Sequence, residues 1–158
     1  MRSDTHDGGG ILVHGTCVAL GGRCALLRGA PGSGKSDLAL RFISLFGSAR
    51  GGDQAAASLV ADDQVLLKRV GDVVRARAPK AIAGRMEVRG IGIVDVAHET
   101  ASSLVLIVDL VAAGEAPRLP PAPLPCEDVQ GVDICVLKLY PFEISAPVKL
   151  KLALTGSP

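Results

Sequence analysis

The residues best suited to chemistry are the eight that run Gly29-Ala30-Pro31-Gly32-Ser33-Gly34-Lys35-Ser36. They fill every fixed position of the phosphate-binding pattern G-x-x-x-x-G-K-[ST]. In that pattern backbone N–H groups surround an anion, the lysine reaches the outer phosphates of a nucleotide, and the serine hydroxyl ligates Mg²⁺. Pro31 removes one amide donor and leaves the others. The second candidate is the acidic pair Asp62-Asp63. Adjacent acids project to different sides, so one can serve a metal while the other accepts a hydroxyl proton. The same pair is also a good turn. Glu87 and Arg89 stand among Gly84, Gly90 and Gly92, and His14 stands at a strand end. Read alone, these three, like Lys149 and Lys151, are solvated charges or an ordinary strand-end histidine. No Ser-His-Asp order, metal–histidine cluster or aromatic–basic stripe accompanies them.

These residues need elements to hold them. Cys24–Arg28 reads as a short buried strand, and residues 35–43 carry apolar side chains at helical spacing, with Gly47 as the stop. Strand, glycine loop and helix in that order put the positive end of the helix behind a bound anion. Upstream, Ile11–Leu20 reads as extended. Gly21-Gly22 is a two-residue hairpin turn that makes 15–20 and 23–28 antiparallel neighbours. The phosphate loop then ends a hairpin strand, which predicts a mixed sheet. Ser58–Ala61 is a short strand running straight into Asp62, after a small-residue loop over 48–57. Residues 64–70 and 73–78 alternate as a second hairpin about Gly71-Asp72. The stretch 84–96, with its glycines and alternating charges, predicts a shaped loop. Leu104–Leu110 is the most apolar run and reads as a central strand. Residues 115–128 hold five prolines and predict a surface excursion. Val132–Leu139 is a last strand, and Ser145-Ala146-Pro147 opens a helix that Gly156 ends. Residues 1–10 are polar, end in three glycines, and predict a disordered tail.

Composition sets the bounds. A chain of 158 residues fits one domain, and 48% hydrophobic content with 3% aromatics predicts an aliphatic core. A net charge of +1 gives no bulk attraction to nucleic acid or to an anionic membrane. No apolar run approaches the roughly 20 residues of a transmembrane helix, and the N-terminus lacks a signal-peptide core. Cys17, Cys24, Cys126 and Cys135 show no C-x-x-C spacing and read as reduced, half-buried small residues. Together these features predict a cytoplasmic protein.

His14-Gly15, the loop Gly29–Ser36, Leu59-Val60-Ala61-Asp62-Asp63 and Met86-Glu87-Val88-Arg89-Gly90-Ile91-Gly92-Ile93-Val94-Asp95 together resemble the catalytic domain of HPr kinase/phosphorylase. The last segment is close to the family signature and is the specific one. The resemblance runs from about residue 11 to residue 152. It is to the short alphaproteobacterial-type form, which lacks the family's N-terminal domain; this chain also stops short of the family's C-terminal helices. It implies a single α/β catalytic domain over 11–156, with a mixed β-sheet around a P-loop helix, similar to the phosphoenolpyruvate-carboxykinase-like nucleotide-binding fold. The implied activity is ATP- and Mg²⁺-dependent phosphorylation of a serine on the phosphocarrier protein HPr, with removal of that phosphate in reverse, regulating a bacterial phosphotransferase system. In the implied roles Lys35 and the loop Gly29, Ala30, Pro31, Gly32, Ser33, Gly34 and Ser36 hold ATP. Ser36 and Glu87 bind Mg²⁺. Asp63 takes the serine proton, with Asp62 and His14 beside it, and Arg89 belongs to the segment serving both directions. Arg118 falls where the family has an active-site arginine. The family's homo-oligomer is a hexamer. Two alternatives share the loop and the acids: a small-molecule P-loop kinase, and a nucleotide-binding regulatory module without catalysis.

Overall fold

The computed structural model describes residues 4–6, 9–47 and 55–156. Its first strands are β1 (Asp4–His6), β2 (Gly10–His14), β3 (Thr16–Leu20) and β4 (Arg23–Arg28), followed by helix α1 (Lys35–Phe46). Next come β5 (Ala57–Ala61), β6 (Gln64–Val70), β7 (Val73–Arg77), a 3₁₀ turn at Lys80–Ile82, β8 (Arg85–Val88) and β9 (Gly92–Asp95). The chain ends in β10 (Ser102–Leu110), β11 (Cys126–Val129), β12 (Val132–Leu139) and α2 (Ala146–Thr155).

Gly21 and Gly22 both take positive φ, 62° and 75°. A two-residue hairpin turn of the primed type needs that conformation, and here it joins β3 to β4 in antiparallel register. β4 then lies parallel to β10, and β10 lies parallel to β12 on its other side. The first residues of β10 also pair antiparallel with β7. The sheet is therefore mixed, in the order β1-β2-β6-β7-β10-β4-β3-β5, with β12 and β11 branching from β10. It curls, so that β3 and β5 come back against β6 and β7.

Alternation along the strands divides the core in two. Cys17, Ala19, Cys24 and Leu26 face inward with Val65, Leu67, Val74 and Ile107. Val18, Leu20, Ala25 and Leu27 face the helices, where Leu38 and Phe42 of α1 meet Leu150 and Leu154 of α2. Burial of a side chain such as Phe42, fully enclosed here, contributes about 1.5–3 kcal/mol. The Gly47 N–H closes α1 on Ile43 O at 2.7 Å, so the helix stops where its sequence stops it.

Three expectations change. The glycine-rich stretch 84–96 contains an antiparallel hairpin, β8 with β9. The cause is a buried face: Met86, with Val88, Val94 and Val96, packs into the helix-side core, while Arg85 and Glu87 point outward. The proline-rich excursion ends earlier than its composition suggested, because Cys126–Val129 pairs with β12. Within the stretch read as a tail, Asp4–His6 pairs with β2, giving that strand a partner on its open edge. Residues 1–3, 7–8 and most of the small-residue loop, 48–54, lie outside the described residues.

Candidate active site

The glycine loop leaves β4 at the carboxyl end of the parallel strands β4, β10 and β12, the edge where open α/β sheets take ligands. Ser33 N–H bonds to Ala30 O at 3.0 Å and closes the loop. Gly34 caps α1 at φ 95°. That position admits only glycine, since a Cβ would also come within 2.9 Å of the Phe142 ring. The first amides of α1 have no preceding helical turn to bond and face the loop.

Lys35 is buried. Its Nζ donates to Gly29 O at 2.7 Å and to Ala30 O at 3.0 Å, so the ammonium lies across the loop's own carbonyls. In the same loop the Ser33 hydroxyl is buried and has no hydrogen-bond partner among the described residues. A buried donor left unmade costs about 1–3 kcal/mol, which an acceptor atom on a bound anion would recover.

The acidic pair separates. Asp62 is buried and accepts three hydrogen bonds. Thr16 Oγ1 donates to its Oδ1 at 2.9 Å, Ser36 Oγ donates to the same oxygen at 2.7 Å, and the Glu87 N–H donates to Oδ2 at 3.3 Å. Asp63 instead projects to solvent, with His14 Nδ1 3.4 Å from its Oδ1. Its backbone is left-handed, φ 70°, an uncommon conformation for a residue other than glycine that asparagine and aspartate tolerate best. The turn is fixed on both sides, by Gly15 N–H to Asp63 O at 3.0 Å and Gln64 N–H to Asp62 O at 2.9 Å. His14 at the end of β2, Ser36 at the start of α1, the acids after β5 and Glu87 on β8 thus converge on one edge. A hydroxyl and carboxylates there are hard oxygen donors that suit Mg²⁺. Among the described residues no group of three or more His, Cys, Asp or Glu side chains is placed to hold a metal ion by itself.

Arg89 is at the exposed tip of the β8–β9 hairpin. Arg118 is exposed on the loop between β10 and β11 and makes no side-chain hydrogen bond or ion pair to a described residue. Sequence reasoning missed three supports. Thr16 orients Asp62. Phe142 closes on Gly34, on a loop held by Arg41 through the carbonyls of Pro141 and Glu143. Arg28, immediately before Gly29, makes a two-pronged bond to Asp109 at 2.8 and 3.1 Å and a third to Glu127 at 2.8 Å. Asp109 above all, then Glu127, holds this guanidinium's pKa above its ordinary value against the opposing effect of burial. The signal was present: Asp109 is the one charge in the most apolar run of the chain.

Fold and geometry define an α/β protein with a glycine-rich loop at the carboxyl ends of its parallel strands, faced by an ordered acid and an open one. The chain belongs to the HPr Serine kinase C-terminal domain family, whose model matches residues 10–111. A curated relative named HPr kinase/phosphorylase, from Cupriavidus metallidurans, is 34% identical over 153 residues, covering 90% of this chain and 42% of the relative. Another of that name, from Burkholderia lata, is 41% identical over 118 residues, covering 68% of this chain and 34% of the relative. This chain thus spans less than half the length of such relatives. The solved structure of the Hpr(Ser) kinase/phosphatase from Coxiella burnetii superposes with a TM-score of 0.70 at 23% identity, covering 90% of this chain and 87% of that one. That likeness establishes the fold. Among the described residues no helix is long and apolar enough to cross a membrane.

Proposed function

We propose that this chain is an ATP- and Mg²⁺-dependent protein serine kinase acting on a small phosphocarrier protein of the HPr type, and able to run the transfer backwards. Family membership supports the substrate class. One observation carries the mechanism: the paired acids are sorted, with Asp62 tied to the Ser36 hydroxyl and Asp63 left open beside His14. The helix that follows the loop and the curled mixed sheet support the finer reading, a nucleotide fold of the phosphoenolpyruvate-carboxykinase type. In this reading residues 11–156 form one catalytic domain working in the cytoplasm.

Lys35 and the loop amides hold the ATP phosphates, with Lys35 exchanging its loop carbonyls for phosphate oxygens. Ser36 and Glu87 would hold Mg²⁺, with Asp62 orienting Ser36; the metal would supply charge neutralisation for the phosphate oxygens. The acceptor serine presents its hydroxyl to Asp63, whose carboxylate takes the proton as the serine oxygen attacks the γ-phosphorus and ADP leaves. In reverse, an oxygen of ADP or of inorganic phosphate attacks the phosphoserine phosphorus, the serine O–P bond breaks, and protonated Asp63 gives its proton to the departing serine oxygen. His14 lies against Asp63 and steadies its carboxylate. Arg118 lies on the loop that leaves β10 at this end of the sheet and would supply a further cation on closing toward the phosphates. Most of the rate then comes from positioning and charge, because phosphoryl transfer leaves little covalent work for the protein.

Glu87→Gln should raise the Mg²⁺ concentration needed for half-maximal transfer, since an amide is a weaker ligand for a hard cation. A titration matching wild type would return Glu87 to the solvated charges. The hairpin tip supports a protein acceptor. Arg89, Ile91 and Ile93 are exposed there, and nothing lies within 4 Å of where a Cβ at Gly90 or Gly92 would stand. A docked protein can approach that backbone closely and exclude water from the phosphates. Arg89→Ala should therefore weaken transfer to the protein far more than it weakens ATP binding. Both are measured on one preparation: equal losses, or fast ATP hydrolysis with no acceptor present, would rule out a protein substrate at this tip.

A further inference from the structure

The thiols of Cys126 and Cys135 are not the scattered, half-buried residues their sequence spacing suggested. Cys126 is exposed, Cys135 is half-buried, and they face each other directly across β11 and β12 with their sulfurs 3.2 Å apart. The ladder shows which kind of pair this is. Val136 N–H donates to Pro125 O at 2.8 Å, so 125 and 136 occupy a hydrogen-bonding position. Cys126 and Cys135, one step along, occupy the narrow non-bonded position, where Cα atoms stand about 4.5 Å apart. Disulfides accept Cα separations of roughly 4.4–6.8 Å. A bond can therefore close here without moving either strand. Cys17 and Cys24 offer a contrast: both are fully buried, and Cys24 is paired with Ala19 rather than with Cys17.

We propose that Cys126 and Cys135 are a reversible redox site that takes a low-molecular-weight disulfide, such as oxidised glutathione, as its oxidant. Exposed Cys126 loses its proton and attacks one sulfur of the small disulfide; the S–S bond breaks and one small thiol leaves. Cys135, already at contact distance, then loses its proton and attacks the Cys126 sulfur. The second small thiol leaves and the protein disulfide is formed. Two protein thiols are oxidised and one small disulfide is reduced to two thiols, so the exchange balances. At rest, the hydrogen bond to Cys135 pushes the Cys126 thiol above its ordinary pKa, with smaller upward contributions from burial and Asp133. Both cysteines are free thiols in this structure.

The position gives the bond a consequence. Among the described residues β11 has only β12 as a neighbouring strand, and Cys126 directly precedes Glu127, which holds Arg28 in front of the phosphate loop. Closing the disulfide staples that short strand in place and stiffens the support of Arg28. The serine transfer proposed above uses neither thiol.

The test treats the reduced whole chain with oxidised glutathione, then alkylates it and maps the peptides. Wild type should lose two hydrogens in mass and yield one linked peptide joining Cys126 to Cys135, with Cys17 and Cys24 alkylated only after unfolding. Dithiothreitol should reverse the change. Cys135→Ser should stop at a glutathione adduct on Cys126. The oxidised wild type should unfold a few degrees higher than the reduced form, and the Cys126→Ser variant should show no such shift. A wild type that keeps both thiols while Cys135→Ser is modified, or one that keeps a glutathione adduct on Cys126, would overturn the proposal.

Discussion

Asp63→Asn should leave Mg·ATP binding near wild type and reduce transfer to serine by about a hundredfold or more, the usual size of a general-base contribution. The substitution suits the backbone, because asparagine adopts the left-handed conformation seen at Asp63 (φ 70°) as readily as aspartate. The turn bonds from Gly15 and Gln64 use main-chain oxygens and survive. The change is confined to an exposed side-chain oxygen beside His14, which can no longer take a proton. Transfer rate and nucleotide affinity should be measured on the same preparation. If affinity collapses instead, Asp63 is the metal's carboxylate. Asp62 would then have to be the base, although it is buried under hydrogen bonds from Thr16, Ser36 and the Glu87 amide.

Lys35→Ala should abolish measurable transfer while the protein still folds. The ammonium spans Gly29 O and Ala30 O, so it is already held over the loop and needs only to exchange carbonyls for phosphate oxygens. Removing one preorganised charge from developing phosphate charge costs about 10²–10³ in rate by analogy with a lost oxyanion donor, and ground-state phosphate binding falls with it. Lys35 is buried, so the melting temperature of the variant belongs beside its activity. A folded variant with unchanged activity would remove the phosphate-loop assignment. A variant that fails to fold would show that the lysine's bonds to the loop carbonyls are structural, and Lys35→Met, which keeps the aliphatic stem, then isolates the charge.

Much of this site was legible because its signals are local. The glycine loop, the Gly21-Gly22 turn and the stop at Gly47 each depend on a few adjacent residues, and each stands where its sequence placed it. The mixed sheet followed from a turn too tight for anything but a hairpin. What could not be read depends on distant partners. Thr16 and Ser36 meet on one oxygen of Asp62 only because β3 pairs with β5, far along the chain, and α1 packs against both strands. Adjacent acids give no sign in sequence of which will be enclosed. The β8–β9 hairpin was hidden because its glycines argue for a loop, while the burial of Met86 that organises it is tertiary. Cys126 and Cys135 are nine positions apart, which means nothing until the β11–β12 register sets them face to face.

The most direct measurement of the central claim is to incubate the purified chain with γ-labelled ATP, Mg²⁺ and a purified HPr-type phosphocarrier, and then to map the labelled residue. The account predicts label on a single serine of the carrier, dependent on Mg²⁺, absent with Lys35→Ala and strongly reduced with Asp63→Asn. Label on a small molecule, label on the chain itself, or free phosphate released at the same rate with or without the carrier would contradict it.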